Sequence, residues 1–345
     1  MIQSKVFSRL IRTTLTLVYL VIIAGSVVRM TGSGMGCPDW PFCFGYAIPP
    51  TELETVTWSA DRAFKRGQMI VRDDALWVAE QDFTTGNAFD PENWEVYTRH
   101  DYAHFNPVHT WIEYINRLIG ALTGVPALIL ALVSLLAKGR SVWYPIYGLS
   151  IPIVLGFEAW LGKTVVDGNL IPNQITIHML GAVALVFLLV RYLAFVQNRR
   201  PDRLEITPVL RNILVFSAVL LLAQIVMGTQ VREEIDVIAK AFDSRAMWLE
   251  QLSVIFEVHR STAPVLMVLS GVAFYLNHRL IRSIFEVDLF FVFIWAEALS
   301  GVILAYFHLP MWNQPVHLLL AILAIGALLY ALFRSVIRRS IPATR

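Results

Sequence analysis

Apolar runs with almost no charge recur along the chain, at roughly 13–30, 113–136, 143–163, 172–194, 210–231, 256–277, 287–307 and 312–334. Each is long enough to cross about 30 Å of hydrocarbon. In lipid a backbone must satisfy its own hydrogen bonds, so runs of this length are read as helices. The pattern predicts an all-α polytopic membrane protein with eight transmembrane helices. The first run follows Lys5, Arg9 and Arg12, as a signal peptide would. It ends in Arg29 and a glycine-rich stretch rather than a small-residue cleavage site, so it is read as a helix.

The polar breaks between runs set the orientation. Lys5, Arg9 and Arg12, then Lys138 and Arg140, then Arg199, Arg200 and Arg203, then Arg279 and Arg282, then Arg334, Arg338 and Arg339 all fall on one side. That side is expected to be cytoplasmic, with both termini. The other side receives a long segment, about 31–112, and a shorter one, about 232–255, both of mixed charge. Composition agrees: 56% of residues are hydrophobic and 16% charged, too apolar for a soluble globule. The net charge of +2 includes no basic block suited to nucleic acid. The only two cysteines, Cys37 and Cys43, lie in GSGMGCPDWPFC (32–43), just outside the first helix. A disulfide can persist there; free thiols are the alternative, and a metal pair lacks further ligands.

The eight runs read as two copies of four. Gly25–Arg29 (GSVVR) closes helix 1, and Gly228–Arg232 (GTQVR) closes helix 5. Helix 2 carries Asn116-Arg117 where helix 6 carries His259-Arg260. Helix 3 has Glu158-Ala-Trp-Leu-Gly162 and helix 7 has Glu297-Ala-Leu-Ser-Gly301. Helix 4 opens on His178-Met-Leu-Gly-Ala182 and helix 8 on His317-Leu-Leu-Leu-Ala321. Glu158 precedes His178 by 20 residues, and Glu297 precedes His317 by 20. Four matched points in order indicate duplication. Four helices return the chain to its starting side, so the copies are expected to be related by a pseudo-twofold axis along the membrane normal. The expected units are residues 1–200, with the extracytoplasmic insertion, and 201–345.

Of eight histidines, His100, His104, His278 and His308 read as interface residues. His178, His259 and His317 lie in apolar helices, where an ionisable group is costly and by default functional. His259 and His317 belong to one four-helix unit, and two facing imidazoles in a bundle core can ligate a haem iron from both sides. Arg260 and Arg117 are placed to pair with haem propionates or to snorkel. In the first unit His178 is faced by Asn116, a poor iron ligand. His109 is two turns earlier on the same face, about 10 Å along the axis. Glu113 shares the Asn116 stripe and reads either as a dipole-favoured carboxylate or as a positioned base; the second unit has Phe256 there. Glu158 and Glu297 occur in both units and read as a shared structural or proton-path pair.

The stretch GSVVRMTGSGMGCPDWPFC (25–43), Pro49-Pro50, EYINRLIG (113–120), His178, the HRSTA stretch (259–263) and His317 together resemble the haem A synthase family. The resemblance covers nearly the whole chain except about 51–100. It implies two tandem four-helix bundles, a haem b held between His259 and His317, and a substrate site for haem O in the N-terminal bundle. The family motif E-x-x-H-R falls on Glu113, Asn116 and Arg117, so its histidine is replaced by Asn116. Glu113 matches the implied catalytic carboxylate, and Cys37 and Cys43 match the family's cysteine pair. The implied chemistry is oxidation of one porphyrin methyl group to a formyl group, supplying haem A to terminal oxidases in a bacterial cytoplasmic membrane. The expected partners are haem O and haem A, a haem O synthase, oxidase assembly factors, membrane lipid and an electron donor the sequence does not identify; a homo-oligomer is admitted.

Two other readings stand beside it. A bis-histidine haem b electron carrier needs only His259 and His317. A haem-binding or haem-export protein needs no redox chemistry. The outer segment, about 51–108, is rich in Asp, Glu, Trp and Tyr and has turn signals at Thr85-Gly86-Asn87 and Asp90-Pro91. It reads as a small cap over the first site or as an interaction surface.

Overall fold

The computed structural model describes residues 2–98, 104–137, 141–167, 174–197 and 204–337. His100 and the basic residues 138, 140, 199, 200, 203, 338 and 339 lie outside this set. Eight long helices are described: α1 (Ile2–Met30), α2 (Pro107–Leu135), α3 (Trp143–Asp167), α4 (Gln174–Gln197), α5 (Pro208–Ala241), α6 (Val254–His278), α7 (Phe285–Tyr306) and α8 (Asn313–Arg334). Seven are long and apolar enough to cross a membrane, which makes the chain an integral membrane protein. The other, α6, qualifies only together with the short segment Arg245–Gln251, from which it is bent by 88°.

Local chemistry explains where the helices depart from the apolar runs. α2 starts at Pro107, six residues before its run, because the Asn106 side chain caps it and accepts from the amides of Val108 and His109. Proline at the first helical position sacrifices no bond. α5 uses the same device, with Thr207 as cap and Pro208 behind it. The larger departure is at the other end of α5. Residues 232–241 were expected in a loop, yet the helix continues to Ala241. Arg232 pairs with Asp236 one turn on, at 2.9 Å, and Asp236 also pairs with Arg29 at the end of α1. Val231 and Ile235 pack with Trp248 and Leu309. The overhang is thus held by ion pairs on one face and apolar contacts on another.

α1, α2, α3 and α4 pack as a closed ring, each against the next and α4 against α1. α5, α6, α7 and α8 pack in the same cyclic order. Between the rings the main contacts are α4 with α8, α1 with α8, and α4 with α5, and Arg29 joins α1 to α5 through Asp236. Apolar surface gains little from leaving lipid, so close packing and internal polar bonds must hold helices together. Gly326 of α8 lets Tyr19 of α1 and Val186 of α4 approach its backbone. The Ser134 and Tyr192 hydroxyls bond at 2.8 Å between α2 and α4. Asn277 holds the α6–α7 turn through Ile284 and Asp288. Asn313 and Ser300 do the same for α7 and α8. At the far end from the long outer segment, β6 (Leu204–Ile206), just before α5, pairs in parallel with β7 (Ser335–Ile337), just after α8.

The described residues are mostly helical, but besides β6 and β7, strands interrupt the all-α expectation in the long outer segment. Between α1 and α2 the chain forms β1 (Ala63–Phe64), β2 (Met69–Arg72), β3 (Ala75–Ala79), β4 (Phe83–Thr84) and β5 (Trp94–Val96). β2, β3 and β5 make an antiparallel sheet, and β1 pairs with β4. Strands this short give almost no period-2 signal, so the sequence concealed them. The aromatics are their core: Phe64, Phe83, Phe89, Trp77 and Trp94 contact edge-to-face and stacked. Arg72 covers the Phe89 ring at 3.9 Å.

Candidate functional site

The residues singled out by the repeat meet at one end of the two rings. Asn116, His178, His259 and His317 each lie within the first three turns of α2, α4, α6 and α8. In every case a glycine from a neighbouring helix faces the side chain. A Cβ on Gly228 of α5 would stand 3.4 Å from His259 Cε1, and one on Gly301 of α7 would stand 3.3 Å from His317 Cε1. In the first ring a Cβ on Gly25 would stand 3.8 Å from Asn116 Oδ1, and one on Gly162 would stand 3.8 Å from His178 Cε1. Glycines at corresponding places in both rings keep room beside each candidate ligand. Sequence reading used these glycines as landmarks of the repeat and missed this role.

In the second ring the His259 and His317 rings face each other, with centroids 6.3 Å apart and planes at 81°. A metal between them taking one nitrogen from each at about 2 Å fits that spacing. His259 Nδ1 is buried and has no hydrogen-bond partner among the described residues. Gln224 holds the backbone here, donating to the His259 carbonyl at 3.0 Å and contacting Thr262. His317 Nδ1 lies 3.2 Å from the Glu297 carbonyl, and its Nε2 lies 3.3 Å from the Glu297 carboxylate. No cluster of three or more His, Cys, Asp or Glu suited to a bare metal ion occurs among the described residues. Two histidines alone leave the remaining positions of such a metal to be filled by other donors.

The first ring is built differently. His178 Nδ1 lies 2.9 Å from Glu158 Oε2, a close approach without the alignment of a hydrogen bond. Asn116 Oδ1 is buried and unpartnered among the described residues. Glu113 is buried and has both oxygens engaged: Oε2 accepts from the Cys37 amide at 2.8 Å, and Oε1 accepts from Arg117 at 2.5 Å. Arg117 also donates to the carbonyls of Asp39 at 2.6 Å, Phe42 at 2.9 Å and Cys37 at 3.2 Å. Thr110 donates to the Gly36 carbonyl at 2.7 Å. A Cβ on Gly36 would sit 2.5 Å from the His109 carbonyl, so only glycine permits this approach.

These bonds clamp the Cys37–Cys43 loop, which is closed by a disulfide, onto the first turns of α2. The β-domain is fastened to the loop in turn. Met69 donates to the Phe44 carbonyl at 3.1 Å, and the Tyr97 hydroxyl donates to the Pro38 carbonyl at 2.6 Å. Asp39 accepts from the Gly45 amide at 2.8 Å. Burial pushes the Asp39 carboxyl above its ordinary range, against those backbone bonds and the Arg117 charge. The cap expected over the first site is thus one stack: β-domain, disulfide loop, α2.

The remaining candidates are placed as follows. His109 is half-buried in the first turn of α2, about 10 Å along the axis from Asn116. His104 is exposed. His278 pairs with Asp288 at 3.1 Å. Arg260 is exposed and stacks on Phe256 at 5.5 Å.

Residues 8–85 and 67–329 match the family model COX15-CtaA, described as cytochrome oxidase assembly protein. Two similar relatives are both named "Heme A synthase". One, from Shewanella oneidensis, is 26% identical over 223 residues, 64% of this chain and 54% of its own length. The other, from Bacillus licheniformis, is 37% identical over 68 residues, 19% of this chain and 22% of its own length. The chain spans about half or less of the length of the curated relatives it matches.

Proposed function

We propose that this chain, which belongs to the COX15-CtaA family of cytochrome oxidase assembly proteins, is a haem A synthase. Its substrate is haem O and its product haem A, destined for terminal oxidases. The single observation that carries the reading is the paired architecture: two ligand sites cradled by corresponding glycines, one with two facing histidines and one with a single histidine. The relatives' names support it. The cyclic packing order supports two tandem bundles, 1–200 and 201–345, related by a pseudo-twofold axis: exchanging the rings maps the α1–α8 contact onto α5–α4 and leaves α4–α8 unchanged.

In this reading His259 and His317 would hold haem b, which when bound would supply one-electron transfer. Gln224 and Gly228 fix the backbone and clear the space beside His259. In the first bundle His178 takes the iron of haem O, and Asn116 leaves the opposite face without a protein nitrogen. His109 lies toward the outer mouth of this site. Glu113 is the acid–base carboxylate beside the reacting methyl, held in place by the Cys37 amide and Arg117. With two oxygen-atom equivalents supplied by an external oxidant, R–CH3 is hydroxylated twice to the geminal diol R–CH(OH)2, which loses one water to leave R–CHO. Arg117 and Arg260 supply positive charge near the outer face for propionates. We place the protein in the bacterial cytoplasmic membrane, with both termini inside and the 31–112 segment outside. A haem O synthase and oxidase assembly factors are its proposed partners.

The test is haem extraction from membranes in which the chain is co-expressed with a haem O synthase. The expected result is haem A alongside haem b. Haem b alone would overturn the reading in favour of an electron carrier. Glu113→Gln is expected to lower haem A at least tenfold with haem b content unchanged.

A further inference from the structure

The two bundles differ in what stands beside the axial histidine, and one residue explains the difference. His178 Nδ1 faces a carboxylate, Glu158 Oε2, at 2.9 Å. At the corresponding nitrogen His317 meets a backbone carbonyl, that of Glu297, at 3.2 Å. The Glu297 carboxylate lies instead toward Nε2. Both glutamates precede their histidine by 20 residues, so their helical positions correspond.

The third residue after each histidine separates them. After His178 it is Gly181, and after His317 it is Leu320. The Glu158 carboxylate occupies the space where a Gly181 side chain would be: a Cβ there would overlap Oε1 and stand 3.3 Å from Oε2. Glu158 is buried, and its Oε1 has no other partner among the described residues. Gly181 is thus the opening through which the carboxylate reaches Nδ1. At the corresponding sequence position the second bundle has Leu320.

We propose that Glu158, admitted by Gly181, is the positioning residue that makes His178 a strong donor to the substrate iron. The inference rests on the reading that His178 binds that iron. A histidine that ligates through Nε2 keeps its proton on Nδ1, and a carboxylate oxygen 2.9 Å from that nitrogen raises the basicity of the ligating one through its proximity. A neutral carbonyl facing it does so less. The bundle with one protein ligand therefore has the strongly donating histidine, and the bundle with two has the ordinary one.

The experiment uses the full chain purified from membranes supplied with haem O. His178→Ala is measured first. Loss of one of two haems confirms the ligand; retention of both overturns the reading beneath the proposal. Resonance Raman spectroscopy of the ferrous protein and redox titration then follow each haem in Glu158→Gln, Gly181→Ala and Glu297→Gln. Glu158→Gln is expected to lower the iron–histidine stretching frequency and raise the midpoint potential of the first-bundle haem. Gly181→Ala, which leaves every ionisable group in place, is expected to shift both in the same direction. Glu297→Gln is expected to leave the second-bundle haem within a smaller shift. Two bound haems with unchanged bands in both first-bundle variants would overturn the proposal, as would an equal shift from Glu297→Gln. Loss of only the first-bundle haem in both variants would also overturn it, since the pair would then hold the group without tuning it.

Discussion

The second bundle holds a pair of facing histidines; the first holds one, and carries an outer loop fastened to its α2. At the end where His259 and His317 lie, the α5 overhang packs with Trp248 and Leu309. On the first bundle the chain clamps a disulfide loop onto α2 beside Glu113 and adds a β-domain of about thirty residues. A site that only passes electrons needs rigid ligands and no entry for a large molecule. A site that turns over a porphyrin needs an unoccupied iron face, a positioned carboxylate and a wall. In the proposed reading the same four-helix plan serves both, with one ligand dropped and one loop lengthened.

The largest expected effect breaks the second bundle alone. His259→Ala or His317→Ala should abolish the haem b signal in a pyridine haemochrome assay, while the first bundle still binds haem O. Asn116→His should make the first bundle resemble the second. Its substrate iron is expected to become six-coordinate and low-spin by electron paramagnetic resonance, with Glu113 and the cap unaltered.

Serine at Cys37 and Cys43 should release the clamped loop. A loop this short contributes about 2 kcal/mol by chain entropy, so the segment around 36–46 should become markedly faster in hydrogen exchange, with α6 and α8 unchanged. The glycine cradles give a finer contrast. Alanine at Gly301 would stand 3.3 Å from His317 and at Gly162 3.8 Å from His178. Gly301→Ala should therefore weaken haem retention more than Gly162→Ala does, measured as haem lost on dilution in detergent.

The smallest effect is one of pH. The Asp39 carboxyl is raised by burial, so the fold binds its proton more tightly than the unfolded chain does. Its contribution is present below the ordinary carboxylate range and is lost as pH rises through the raised value. Asp39→Asn, which can still accept from Gly45, should flatten the fall in thermal stability of the first bundle as pH rises above the ordinary carboxylate range.

The membrane part of this architecture was legible because lipid imposes length and apolarity on each crossing. The matched spacing of Glu158 with His178 and of Glu297 with His317 was visible, and both pairs do meet. Three things were not visible. The α5 overhang carries Glu233, Glu234 and Asp236, which read as loop until Arg29 is known to stand beside Asp236. The strands are two to five residues long and held by aromatic clustering, which has no period. Glu113 could be read as base or dipole partner. That it also grips the Cys37 amide required knowing that the loop folds back over α2.

β6 and β7 tie the strand entering the second bundle to the strand leaving it. Because β7 follows all eight helices in the chain, this is a closure available only when synthesis has passed the last of them. Until then the entry to α5 and the exit from α8 are not tied to each other. The final strand then draws the first and last helices of the second bundle together, as a drawstring does, at the end of the molecule opposite the long outer segment.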